Sequence, residues 1–288
     1  STQAKTLFPY TTLFRSQVAT LVADTHVTDV MVADTAINLV ANLPALKAAL
    51  TVSENGADVD KLKGIQQTGS GPLAITQTQL QANDGVLAKF VSNYSLSVRD
   101  VTAATATSVA AMDRVVSVAV ADSSANIATH MDALNALGKE LTTITQTGTA
   151  AALSLSASQL LADKSALAKI TNNYTLSMRD VTADTAASVA ANGHVVSMDV
   201  TDTTANITRK LDTLQNVSTK INTITQSDAD AALQITAHQF SVDSVALSKV
   251  VGDYDLNVRD VAAAQATDVA HDAHVASYSV ADTSVNLA

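Results

Sequence analysis

The chain has no cysteine and no tryptophan, and only 3 prolines and 9 glycines among its 288 residues. Without cysteine there are no disulfides, thiolate metal ligands or thiol nucleophiles. That absence leaves an extracellular home open, because a long repeat array does without the staples that a small secreted domain needs. So few glycines leave no Gly-rich phosphate cradle and no Gly-rich calcium nonapeptide. Aromatic residues amount to 3% against 47% hydrophobic overall, so the core has to be aliphatic. Basic charge is also scarce: 17 Lys and Arg face 27 Asp and Glu, for a net charge of -10. Nucleic acid is therefore not an expected partner, since phosphate binding relies on Lys and Arg, and anionic membrane surfaces are disfavoured for the same reason. No apolar run reaches the roughly 18 residues of a membrane span, so no membrane insertion is expected.

What the chain has in abundance is itself. Ser97-Val98-Arg99-Asp100 returns 80 residues later as Ser177-Met178-Arg179-Asp180, and again as Asn257-Val258-Arg259-Asp260. Gln79, Lys89 and Tyr94 recur in the same register as Gln159, Lys169 and Tyr174, then as Gln239, Lys249 and Tyr254. Self-similarity at a fixed period is the mark of a solenoid or array. The pattern divides residues 17–288 into units of approximately 17–95, 96–175 and 176–255 and a partial unit, 256–288. From Asp34 to Asp122 the interval is 88 residues rather than 80, and the excess falls in Leu50 to Lys63, read as a loop insertion on the outer face.

Each unit reads as three strand-then-helix steps. Leu176–Val181 is a strand followed by a short helix over Ala183–Ala190. Val195–Val200 is a second strand, and the helix after it places Ile207, Leu211 and Leu214 on one face. The third step runs through Ile224 and Leu233–Thr236 into a helix from Ala237 to Val250, with Val242, Val245, Leu247 and Val250 inward. Thr76, Ser156 and Thr236 with Gln79, Gln159 and Gln239 form capping boxes. Asp34, Asp122, Asp202 and Asp282 open further helices as caps. Strand, helix and strand with long connections imply parallel pairing. The expected fold is thus α/β: a solenoid of strand-helix coils, with one long parallel sheet, a row of helices and about three coils per unit.

Asp100, Asp180 and Asp260 end one strand of each copy, and Asp122, Asp202 and Asp282 the next. Carboxylates at such turns are what a calcium ion requires, so these six are the candidate metal ligands, set against a plain role as caps and partners of Arg99, Arg179 and Arg259. Asn38, Asn126, Asn206 and Asn286 suggest an inter-coil asparagine ladder, while Tyr94, Tyr174 and Tyr254 suggest plugs between helix and sheet. His271 and His274 form the one histidine cluster. His194 lies one period before His274 and Arg114 one before that, and the cation argues for a solvated loop rather than a ligand. No catalytic motif and no cofactor-binding motif is present.

Residues 6–16 have no counterpart in any copy and resemble translated sequencing adapter from metagenomic assembly, so residues 1–16 read as a non-native leader. No secretory signal pattern is found. The succession V-x-D-T-x-A-N-I, then I-T-x-T, then L-x-I-T-x-x-Q and Tyr-x-Leu-x-V-x-D resembles tandem repeat regions of about 80 residues in large bacterial secreted or surface proteins of adhesin or hemolysin type. The resemblance implies a cell-surface or extracellular location and a spacer role without catalysis. The alternative it leaves is a calcium-stabilised adhesin module binding a glycan or protein. Because the last unit is partial, its exposed core is expected to drive end-to-end self-association.

Overall fold

The computed structural model describes residues 15–54, 56–228 and 231–283. It is an α/β structure in two compact units, Ser1–Gly148 with Ser165–Asn172 and Thr149–Lys164 with Asn173–Ala288.

In the first unit, β1 (Val30–Thr35) is followed by the antiparallel hairpin of β2 (Val52–Glu54) and β3 (Ala57–Val59), and then by β4 (Leu62–Thr68), which lies parallel to β1. A separate parallel sheet follows, with β5 (Leu73–Thr76), β6 (Leu96–Val101), β7 (Val115–Asp122) and β8 (Leu141–Gln146) in that order. The second unit repeats the four-stranded arrangement with β9 (Leu153–Ser156), β10 (Leu176–Val181), β11 (Val195–Asp202) and β12 (Ile221–Gln226). It then adds β13 (Leu233–Thr236), β14 (Leu256–Val261) and β15 (Val275–Val280).

Parallel pairing is as expected, whereas the single long sheet is replaced by several sheets, the parallel ones of two to four strands. The third step of a copy carries two strands rather than one, and the turn between them is where the sheet breaks. In the first unit that turn contains Gly69 and Gly71 at φ 81° and 117°, a region open to glycine. β4 ends one sheet and β5 begins the next. After the helices the chain returns as a single bridge, Phe90 on Ile65, before β6 pairs with β5. The second unit does the same, with Val250 bridging Ile224 and β14 pairing with β13.

Aliphatic side chains line up across the strands. Ile75, Val98, Val118 and Leu141 form one row, and Leu155, Met178, Met198 and Ile221 its counterpart, each residue at most 2% exposed. The residues differ between the two rows but are apolar at every place, so the register sets apolar side chains on apolar side chains. The helix Thr204–Asn216 buries Ile207, Leu211 and Leu214 as its 3.6-residue period requires.

The helix expected from Ala237 to Val250 is instead two, Ala237–Val242 and Ser244–Leu247, broken at Asp243. Leu247 and Val250 are buried as expected, at 6% and 8%, with Ala246 beside them, whereas Val242 and Val245 are 44% and 46% exposed.

The excess residues of the first copy form the hairpin β2–β3 rather than an open loop, turning at Gly56 with φ 82°. The described hairpin residues are half-buried or exposed, whereas the chain just after them turns inward. The Lys61 side chain is fully buried, donating from Nζ to the Val22 and Asp24 carbonyls at 3.0 and 2.9 Å and pairing with the Glu54 carboxylate. It thereby closes the C-terminal end of the helix Arg15–Ala23, where carbonyls lack helical partners. Lys220 does the same in the second unit, donating to the Ala190 carbonyl at 2.7 Å, the last residue of the helix Ala186–Ala190.

Candidate functional site

The six candidate aspartates divide into two structural roles. Asp100, Asp180 and Asp260 lie inside their strands, not at the ends, with φ of 56°, 57° and 61°. Asp tolerates this left-handed region better than most residues. Val98 faces Val118 and Val101 faces Val120, so three steps along β6 match two along β7, and the same shift recurs in β10 and β14. This is a β-bulge, which turns Arg99 and Asp100 both to solvent and brings Val101 back to the core. Each exposed aspartate pairs with the arginine before it, at 3.1 Å for Arg99, 3.0 Å for Arg179 and 3.5 Å for Arg259.

Asp122, Asp202 and Asp282 tie neighbouring strand-helix steps together. One oxygen of Asp122 accepts from the Ser123 N–H at 2.7 Å and Asn126 Nδ2 at 2.8 Å, while the other accepts from the Ala103 N–H at 2.9 Å, 19 residues back. Asp202 receives Thr203, Asn206 and Ala183 in the same way, and Asp282 receives Thr283 and Ala263. The helix caps are therefore not these aspartates but the residues after them. The Thr35, Ser123 and Thr203 hydroxyls accept from the N–H of Asn38, Asn126 and Asn206, and the aspartate braces the cap from outside the helix. Burial would raise the carboxyl pKa of Asp122, but the donors from Asn126, Ala103 and Ser123 outweigh it and hold it below the ordinary value.

The asparagines form no ladder between coils. Asn38, Asn126 and Asn206 each donate from Nδ2 to the aspartate four residues earlier in their own turn, at 2.7, 2.8 and 2.7 Å; Asn286 lies outside the described residues. All three capping boxes form in full.

The tyrosines and histidines meet. The Tyr174 and His194 rings stack with centroids 4.1 Å apart and planes 4° from parallel, and Tyr254 and His274 at 4.0 Å and 9°. In the first copy the Arg114 guanidinium lies 4.4 Å from the centre of the Tyr94 ring. The place 20 residues after each tyrosine lies in an exposed turn, as expected, and it carries a flat polar or cationic group on the ring, which explains why Arg and His exchange there. One face of each ring is occupied, as is His274 Nδ1, which donates to the Tyr254 carbonyl at 3.2 Å while His271 Nδ1 donates to Thr267 at 2.6 Å. The Tyr94 and Tyr254 hydroxyls donate to the Leu87 and Leu247 carbonyls, both at 3.3 Å, at the last residues of short helices. Burial pushes the hydroxyl pKa of all three tyrosines up. His194→Ala is expected to cost about 0.5–1.5 kcal/mol, the worth of such a ring pair. His194→Arg is expected to stay near wild type, because the first copy uses that pairing; urea denaturation of both variants checks this.

Among the described residues no three His, Asp or Glu side chains converge as a metal centre. In the second unit a shallow groove of about 300 Å³ lies against Ala187, Ala190, Asn216 and Lys220. Its one charged group is the Lys220 amine, already bound to the Ala190 carbonyl.

Two arrangements escaped the sequence reading: buried Lys61, and a carboxyl pair, Asp212 with Asp243, in the second unit. The signal for the pair was present. The same two positions hold Asp132 and Asp163 one copy earlier, and Pro44 and Asn83 in the first copy, so the acids come and go together. Comparison with protein-family models, with curated proteins and with solved structures finds no match.

Proposed function

We infer that this chain is a structural spacer segment of a large extracellular bacterial surface protein, in which strand-helix coils stack as a solenoid and no reaction is catalysed. The observation that supports it most directly is where the recurring polar residues go. The aspartates that end β7 and β11 bond the neighbouring step with one oxygen and their own helix start with the other, the bulge aspartates hold arginines, and the histidines stack on tyrosines. Side chains that would otherwise serve a ligand serve the repeat. Between strands the outward positions are small and polar, with Ser117 Oγ donating to Ser97 at 2.8 Å and Ser197 to Ser177 at 2.9 Å.

Head-to-tail self-association belongs to the same reading. In β15, Tyr278 and Val280 are 43% and 41% exposed, whereas Val118 and Val120 at the same places of β7 are at most 1% exposed beneath β8. An uncovered parallel edge with apolar side chains takes up another strand.

Small-angle scattering on this chain and on one lengthened by a further 80-residue copy tests the spacer reading. Three more strand layers at roughly 4.8 Å each should lengthen the particle by about 14 Å per copy. Growth in all directions at once would sink the solenoid. Saturable binding on a glycan array, lost on changing exposed residues of one face, would replace the spacer with the adhesin module.

A further inference from the structure

The carboxyl groups of Asp212 and Asp243 come from different helical segments. Asp212 is exposed on the helix Thr204–Asn216, and Asp243, 2% exposed, occupies the break between the helices Ala237–Val242 and Ser244–Leu247. Asp243 Oδ2 is buried and receives no hydrogen-bond donor from the protein. Its backbone is fully engaged, the N–H donating to the Gln239 carbonyl at 2.9 Å and its carbonyl accepting from the Leu247 N–H at 3.0 Å, so the carboxyl group stays where the helices put it. The charged and titratable groups facing it are Asp212 across the gap and the exposed His238 on the preceding helix. Gln239 links the pair to the capping box: its Nε2 donates to Asp212 Oδ1 at 3.0 Å, and its Oε1 accepts from the Thr236 N–H at 3.2 Å.

A buried carboxylate facing a second carboxylate is unfavourable on both counts, desolvation and like charge, whereas one shared proton turns the repulsion into a hydrogen bond. We propose that Asp212 and Asp243 form a proton-operated latch, closed when Asp243 carries a proton and donates it to Asp212, and loosened when that proton leaves, easing the helical break at Asp243 away from the helix Thr204–Asn216. No chemistry beyond an acid-base step with water is required. The latch does not depend on the spacer reading, since it concerns packing within one copy.

Burial, with Asp212 adding to it, pushes the Asp243 carboxyl up to about 6, while hydrogen bonds from Gln239 and Asp243 hold Asp212 low. The sign follows. A carboxyl whose folded value lies above its unfolded value stabilises the fold only while protonated, so stability falls as pH rises from about 4 through 6 and then levels off. Asp212 acts in the opposite sense but only below about pH 4, outside that window. First-copy chemistry supplies the control, because Asn83 at this position donates from Nδ2 to the Gln79 carbonyl at 2.7 Å and needs no proton.

Hydrogen exchange of the amides of 237–250, measured from pH 4.5 to 8 and corrected for intrinsic rates, compares wild type with Asp243→Asn and Asp212→Asn. The expected result is an opening constant in the wild type that rises on the order of tenfold or more across this range relative to Asp243→Asn, and a carboxyl carbon resonance of Asp243 that titrates near 6. Asp212→Asn removes the like charge and should move that midpoint down, which keeps the test valid if the first variant folds poorly. Parallel profiles for the three proteins, or an Asp243 resonance titrating below about 4.5, would overturn the latch.

Discussion

Replacing Lys61 by methionine is expected to destabilise the first unit by about 3–5 kcal/mol, the range for removing one member of a buried ion pair. The apolar side chain has nearly the right volume, so the loss does not come from a cavity. It comes from the Glu54 carboxylate, left without its cation, and from the Val22 and Asp24 carbonyls, left without a donor at the end of the helix Arg15–Ala23. The double variant Lys61→Met with Glu54→Gln should recover part of the stability, since a neutral amide is cheaper to leave buried than a carboxylate. Chemical denaturation reports the size of the effect and exchange in the helix and hairpin its place. A loss below about 1 kcal/mol would mean that the amine is solvated and closes nothing.

Asp122→Ala is the second large effect, about 3 kcal/mol, because three donors converge on the carboxylate and a hydrogen bond to a charged group is worth roughly 1.5–3 kcal/mol with partial recovery by water. Asp122→Asn retains one accepting oxygen and turns an NH2 toward a donor, so it should recover only a minor share. The Asp122 carboxyl is held below its ordinary value by Asn126, Ala103 and Ser123 against the effect of burial. Its contribution is accordingly complete above the unfolded pKa of about 4 and is lost as pH falls through the lower folded value, a steep acid limb that Asp122→Ala should lack. Melting in millimolar calcium and in excess chelator separates bracing from ligation. Coincident curves are expected when the oxygens are satisfied by N–H donors, and a large rise in calcium that disappears in Asp122→Ala would make the aspartates ligands.

Much of this architecture was legible in the chain. Caps could be read because a hydroxyl and a glutamine three residues apart act within one helical turn, and all three boxes formed. The apolar faces of Thr204–Asn216 could be read because a helix of that length has one period. Strand patterns of the form L-x-V-x-x-V break simple alternation at Arg99-Asp100, and only the left-handed turn at Asp100 explains how Val101 regains the core. The Tyr and His or Arg pairs were visible as residues but not as contacts, since a separation of 20 residues becomes a contact only when the strands are in register.

The sequence by itself determined the period, the aliphatic core, the helix starts and the parallel pairing, all of which follow from spacing within a few residues or from strict repetition. The tertiary structure alone decided where the sheets break, that Val242 and Val245 face outward, that Lys61 is buried and that Asp212 meets Asp243. Each of these depends on segments far apart in the chain, whose relative rotation and register are set by packing, and packing acts on the whole copy at once rather than on any local run of residues.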